Sequence, residues 1–151
     1  MFSGASEHSL DKKHRMHMPR RILSGFPEED LERLFLARGL DGCIFLFGPA
    51  AWQRYRDEFT RSIPATKRAR NFQRLFLSSV AEVSVDSQKR ILLPEKLRRM
   101  AGIGEKVVVN GMGDHVEIWA AGRWQELEEA NTEAFEEAYE DFVNETLGGS
   151  K

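Results

Sequence analysis

Two five-residue stretches of the chain place an acid four residues before an arginine: Asp11-Lys12-Lys13-His14-Arg15 and Asp86-Ser87-Gln88-Lys89-Arg90. Each leads to a proline four residues after its arginine, Pro19 and Pro94. Such residues suit a basic patch, a metal site or a structural element, and comparing the copies separates these readings. His8, His14 and His17, with Glu7 and Asp11 nearby, offer metal ligands. The second copy has Lys89 and Leu92 where the first has His14 and His17, so the unit does not need imidazole there. No metal or other cofactor is expected. Asp11 and Asp86 also invite a reading as paired carboxylates, but each has its own arginine, which keeps it ionised and unsuited to acid or base work. There is no nucleophile elbow, no phosphate-cradling glycine loop and no cysteine–histidine pairing, so an enzyme is not expected.

The net charge of −2 conceals segregation. Basic residues gather at Lys12–Arg21, Arg54–Arg74 and Lys89–Arg99, whereas Glu126–Glu145 holds nine carboxylates and no Lys or Arg. Overall charge therefore does not argue against a polyanionic partner. The 151 residues suit one compact domain or two small ones sharing a core. No apolar run is long enough to span a bilayer, and the start MFSGASEHSL lacks the pattern of a secretory signal. The lone Cys43 lies in the apolar run CIFLF and reads as a buried small hydrophobe in a reducing, cytoplasmic setting.

What must position the two loops is a duplication. DKKHRMHMP and DSQKRILLP coincide at an offset of 75, while LFLARGLDGCIFLFGPAAWQ and KVVVNGMGDHVEIWAAGRWQ coincide at 72, matching Gly39 with Gly111, Trp52 with Trp124 and Gln53 with Gln125. The three-residue difference falls between Pro19 and Phe35, in a connection that tolerates it. The repeat overrides local appearance. EEDLERLFLARG alone suggests a helix, but its partner KVVVNG is β-branched, so Leu34–Ala37 is expected as a strand. Each half then reads as a strand, the Asp-x-x-x-Arg loop, a short helix and a β-hairpin. In the second half VAEVSV is the first strand, and Pro94 and Gly102 bracket the short helix.

Helices follow each hairpin. Trp52, Tyr55 and Phe59 form one stripe, continued by Phe72, Leu75 and Phe76. Trp52 and Trp124 are expected as matching core anchors. Near the C-terminus Phe135, Tyr139, Phe142 and Val143 make a stripe opposite carboxylates, on a helix too acidic to meet nucleic acid. Units of so few strands cannot protect their edges alone. The expected fold is therefore α+β: two pseudo-symmetric β units forming one small barrel with flanking helices, both loops on the same side. The organisation is a first unit over 5–53, linking helices over 54–78, a second unit over 79–126 and an acidic helix over 127–147.

The chain resembles the MraZ family, within the AbrB/SpoVT superfamily of swapped-hairpin barrels. The resemblance spans nearly the whole length: the opening MFSG with EHSLD, then RGLDGCIFL, NFQRLF, VSVDSQKRILLP and VEIW. It implies a cytoplasmic, nucleoid-associated bacterial regulator, described in the family as a repressor. Such a protein binds repeated boxes in double-stranded DNA upstream of the division and cell-wall gene cluster, and assembles into a homo-oligomeric ring. The resemblance assigns DNA contact to Lys12, Lys13, His14, Arg15, Lys89 and Arg90, and a loop-structuring role to Asp11, Asp86, Pro19 and Pro94. Arginine suits phosphate or the guanine edge through its planar fork, and lysine adds screened attraction. His14 and Lys89 stand where the family has glycine, so a left-handed backbone there costs on the order of 1 kcal/mol. The competing reading is a protein-binding or antitoxin-like module on the same superfold.

Overall fold

The computed structural model describes residues 1–148. Its contacts divide the chain into Met1–Ala121 and Gly122–Lys151. The first half of the larger unit runs β1 (Ala5–Ser9), β2 (Arg15–His17), α1 (Arg20–Leu23), a 3₁₀ turn at Glu28–Glu32, β3 (Leu34–Arg38), β4 (Ile44–Phe47) and α2 (Pro49–Arg61). α3 (Lys67–Ser78) leads to the second half: β5 (Ala81–Val83), β6 (Arg90–Leu92), α4 (Glu95–Met100), β7 (Lys106–Gly111) and β8 (Val116–Ala120). α5 (Ala121–Asn131), α6 (Phe135–Phe142) and a π-helical turn at Val143–Leu147 follow.

Leu34–Arg38 is a strand, as the repeat requires. The acidic EEDLE segment takes the 3₁₀ turn, after which Leu34 and Leu36 alternate into the core with no exposure. Helical propensity loses here because β4 and β5 supply backbone partners on both sides. The short helices are shaped by their flanks. Pro94 precedes α4 in extended conformation rather than opening it, its ψ of 147° turning the chain into the helix. Gly102 ends it with φ at 65°, and the amides of Gly102 and Ile103 return to the carbonyls of Arg99 and Arg98.

Six strands form one sheet in the order β1-β7-β8-β4-β3-β5, and every pairing is antiparallel. Each half lends its first strand to the hairpin of the other: β1 pairs with β7, and β5 with β3. Exchanging the halves element by element gives the same order read from the other edge, β5-β3-β4-β8-β7-β1. A closed barrel, however, is not what the backbone builds. Among the described residues the sheet ends at β1 and β5, and β2 and β6 pair only with each other as a separate ribbon. Ribbon and sheet meet through side chains: Met16 and Ile91, each at a ribbon centre, join Leu34, Leu36, Ile44, Leu46, Val107, Val109, Val116 and Ile118 in one core. Each such burial contributes about 1.5–3 kcal/mol before entropic costs.

The pairing also corrects the alignment of the two hairpins. Arg38 lies opposite Ile44, and Gly111 opposite Val116, so Leu36 corresponds to Val109 and the offset in this strand is 73 rather than 72. Matching Gly39 to Gly111 slips the strand by one residue, which would exchange its two faces. Runs of consecutive apolar residues carry no parity, so the sequence match could not expose the slip. Gly39 instead belongs to the first turn, its amide bonded to the Cys43 carbonyl at 2.8 Å.

On the outer side of the sheet α2 and α3 close an aromatic layer. Trp52 is buried against Phe35 and Phe47, and Tyr55 and Phe59 meet Phe76 at 5.8 and 5.0 Å between ring centres. Trp124, expected as the matching anchor, is only half-buried. Cys43 is buried, its thiol donating to the Leu40 carbonyl, and desolvation pushes its pKa up. In the smaller unit the large side chains of α6 face solvent.

Candidate nucleic-acid interface

The turn joining β1 to β2 and the turn joining β5 to β6 are built by the same bonds. The Asp11 amide donates to the Arg15 carbonyl at 3.0 Å, and the His14 amide to the Asp11 carbonyl at 3.0 Å. One carboxylate oxygen of Asp11 accepts from the amides of Lys13 and Arg15, at 2.9 and 3.0 Å, and the other accepts from Arg15 Nε at 2.8 Å. The second turn repeats this set. The Asp86 and Lys89 amides donate to the Arg90 and Asp86 carbonyls, while the Asp86 carboxylate accepts from the amides of Gln88 and Arg90 and from Arg90 Nε, each at 2.9 Å. The aspartate thus organises its own turn two and four residues ahead.

The penultimate residue of each turn is left-handed, with φ of 62° at His14 and 64° at Lys89. This is the conformation in which an L side chain costs about 1–2 kcal/mol relative to glycine. The twist is used across the ribbon. His14 offers its carbonyl to the Leu93 amide at 3.0 Å, and Lys89 offers its own to the Met18 amide at 2.9 Å. Each turn therefore continues the ladder of the other half beyond the paired residues Arg15↔Leu92, Met16↔Ile91 and His17↔Arg90.

The loops lie side by side. Arg90 Nη1 stands 3.5 Å from Asp11 Oδ2, so the two motifs meet across the ribbon. Lys12, Lys13, His14 and Lys89 are exposed, Arg15 is half-buried, and the Arg90 side chain retains 15% exposure. The Asp11 carboxyl is lowered to about 2, chiefly by the Arg15 amide, with desolvation opposing and the Arg15 side chain and Lys13 amide assisting. Asp86 is lowered too; desolvation, the largest single influence, opposes, and is outweighed by the bonds from Arg90 and Gln88. Pro19 and Pro94 sit directly behind the ribbon, their carbonyls accepting from Ile22 and Leu23 and from Arg98.

The structure adds contacts that composition did not show. Arg21 belongs to the first basic cluster, yet its guanidinium binds the carbonyls of Ser3, Gly4 and Val109 and the Ser6 hydroxyl. It clamps the N-terminal strand and is not deployed with Lys12 and Lys13. Arg98 Nε donates to the Leu93 carbonyl at 2.8 Å, bracing the ribbon from α4. His8 bonds the Ser6 hydroxyl at 2.7 Å, and among the described residues no three His, Cys, Asp or Glu side chains gather as metal ligands. Nor is any described helix long and apolar enough to cross a membrane.

The architecture defines a duplicated β module that presents two copies of one arginine turn on a shared ribbon. The family model described as "MraZ protein, putative antitoxin-like" matches residues 1–75 and again 76–145, once for each half. The chain is also 38% identical over 146 residues to the transcriptional regulator MraZ of Heliobacterium modesticaldum (strain ATCC 51547 / Ice1), covering 95% of this chain and 98% of that protein. The chain belongs to the MraZ family.

Proposed function

We propose that this protein is a transcriptional regulator that acts as a repressor by binding double-stranded DNA through the Asp11–Arg15 and Asp86–Arg90 turns. The observation that carries the reading is the meeting of the two turns, with Arg90 Nη1 3.5 Å from Asp11 Oδ2. The residues that would make the contact are Lys12, Lys13, His14 and Lys89, which are exposed, with Arg15 and Arg90, which are half-buried. Asp11 neutralises the inner edge of the Arg15 guanidinium through Nε, which leaves its Nη edge as the part suited to a phosphate or to guanine O6 and N7, whereas Arg90 also turns Nη1 to Asp11. The lysines add non-specific attraction that weakens with salt. The likeness to a transcriptional regulator over nearly the full chain supports the same conclusion.

The targets are repeated boxes upstream of the division and cell-wall gene cluster that includes the protein's own gene, and the setting is the cytoplasmic nucleoid. Because one chain offers only two turns, several copies in a homo-oligomeric ring would engage successive boxes and gain through effective concentration. The test is a gel shift on DNA upstream of the protein's own gene, with a salt titration. Binding should fall steeply as salt rises, and Arg15→Ala should weaken it by about 1–3 kcal/mol. Equal affinity for an unrelated duplex, or unchanged affinity in both Arg15→Ala and Arg90→Ala, would remove the assignment.

A further inference from the structure

The ribbon that joins the halves turns four side chains away from the core, and only two of them, Arg15 and Arg90, belong to the turns. In β2 Met16 is buried, so Arg15 and His17 point to the other face; in β6 Ile91 is buried, so Arg90 and Leu92 do the same. The register sets Arg15 opposite Leu92 and His17 opposite Arg90. Exchanging the halves carries Arg15 onto Arg90, but it carries His17 onto Leu92. The arginines are a matched pair and the other two residues are not: one offers ring nitrogens, the other only methyl groups. Leu92 is 51% exposed although Ile91 and Leu93 on either side are buried. It adds nothing to the core and nothing to the attraction of the face for phosphate.

We propose that Leu92 and His17 are specificity-determining residues, a role that rests on the DNA reading above. Leu92 packs on the C5-methyl group of a thymine, and His17 donates a ring N–H to the N7 of a purine. The major groove admits a two-stranded β-ribbon, and it is the groove that displays both of those groups. Phosphate contacts of the kind the turn lysines make set position without carrying sequence. Two matched arginines alone would read a duplex alike in either orientation. The difference between His17 and Leu92 lies at related places on the same face, so it gives the bound duplex a direction.

The probe is a duplex that the full-length wild-type chain enriches from a randomised pool. Each thymine is replaced in turn by uracil, which keeps the base pairing and removes only the methyl group. One replacement should weaken wild-type binding about fourfold, the worth of burying one methyl-sized group, and should leave Leu92→Ala unaffected. Replacing each purine by its 7-deaza analogue, which removes N7, should likewise find one position that matters to wild type and not to His17→Ala. Both residues are exposed, so circular dichroism and Tm should stay at wild-type values. The modified duplexes leave the protein untouched, so a folding defect cannot imitate the pattern. In His17→Leu/Leu92→His the methyl-sensitive position should move across the centre of the box. Wild type indifferent to every uracil, or Leu92→Ala as sensitive as wild type, overturns the role of Leu92; the same results in the 7-deaza series overturn that of His17. If these roles fail while Arg15→Ala still loses binding, the DNA reading stands without them. If wild type enriches no sequence, both fall together.

Discussion

The two turns share one backbone but are unequally loaded. The first presents Lys12, Lys13 and Arg15 around a left-handed histidine; the second presents Lys89 and Arg90 beside Ser87 and Gln88. Arg15 is bonded by Asp11, whereas Arg90 meets both Asp86 and Asp11, at 2.9 and 3.5 Å, and its side chain is half as exposed, 15% against 30%. Duplication preserved the turn and let its contents diverge. The first copy is the more open cationic surface, and the second arginine spends more of its charge holding the ribbon together.

The largest effect on this contrast is expected from Asp11→Ala. It removes the acceptor for two amides and the partner of both arginines, so turn and cross-ribbon contact fail together. Operator affinity should drop further than in either arginine variant, and more than for Asp86→Ala, whose carboxylate serves a single turn. Gel shifts on the two variants decide it: equal losses would mean that the 3.5 Å contact carries nothing.

Next come the arginines. Arg15→Ala and Arg90→Ala should each weaken binding by about 1–3 kcal/mol, but only Arg90→Ala should also lower Tm, because that guanidinium ties the turns to each other. Paired melting curves and gel shifts separate the roles. A drop in Tm for Arg15→Ala alone would reverse them.

The geometry of the two turns was legible in the sequence. The Asp-x-x-x-Arg spacing repeated with a proline at the same distance, and an acidic residue two and four positions before amides is how aspartate nucleates a turn. The strand at Leu34–Arg38 came from the second copy, where Val107–Val109 are β-branched. Other features depend on what long-range pairing places together. Arg21 lies next to Arg20 in a basic run, and only the approach of β1 and β7 turns it into a backbone clamp on Ser3, Gly4 and Val109. The 73-residue register of β3 on β7 was hidden because both strands are apolar on both faces. The open sheet with a separate ribbon was hidden because a three-residue strand can either pair with a sheet or cap its core.

Acid gives a smaller effect that tests the turn itself. The folded Asp11 carboxyl sits at about 2, below its ordinary 3.8, so the unfolded chain takes up the proton at higher pH than the native turn. Its contribution to stability is complete above about pH 4 and is lost as pH falls through 2. The amide resonances of Lys13 and Arg15, followed by ¹⁵N NMR, should stay constant to about pH 4 and then shift with a midpoint near 2. A midpoint at the ordinary carboxylate value would show that these amides do not engage Asp11.

The smallest expected change is the most direct comparison of the two backbones. His14 and Lys89 hold φ values of 62° and 64°, where an L residue costs about 1–2 kcal/mol. His14→Gly and Lys89→Gly each relieve that cost, but glycine also raises the entropy of the unfolded chain by about 0.4–1 kcal/mol. The net gain should be about 0.5 kcal/mol per site, a rise in Tm of about 1–2 °C for a chain of this size. The two gains should be equal, since the turns share their hydrogen bonds, and additive, since each carbonyl serves a different amide of the opposite half. Lys89→Gly should in addition lose a little DNA affinity at low salt, having removed a charge that the second turn has in short supply. Unequal gains from melting curves would mean that the side chain of His14 or Lys89 is engaged in holding its turn, and the two copies would then differ in structure as well as in charge.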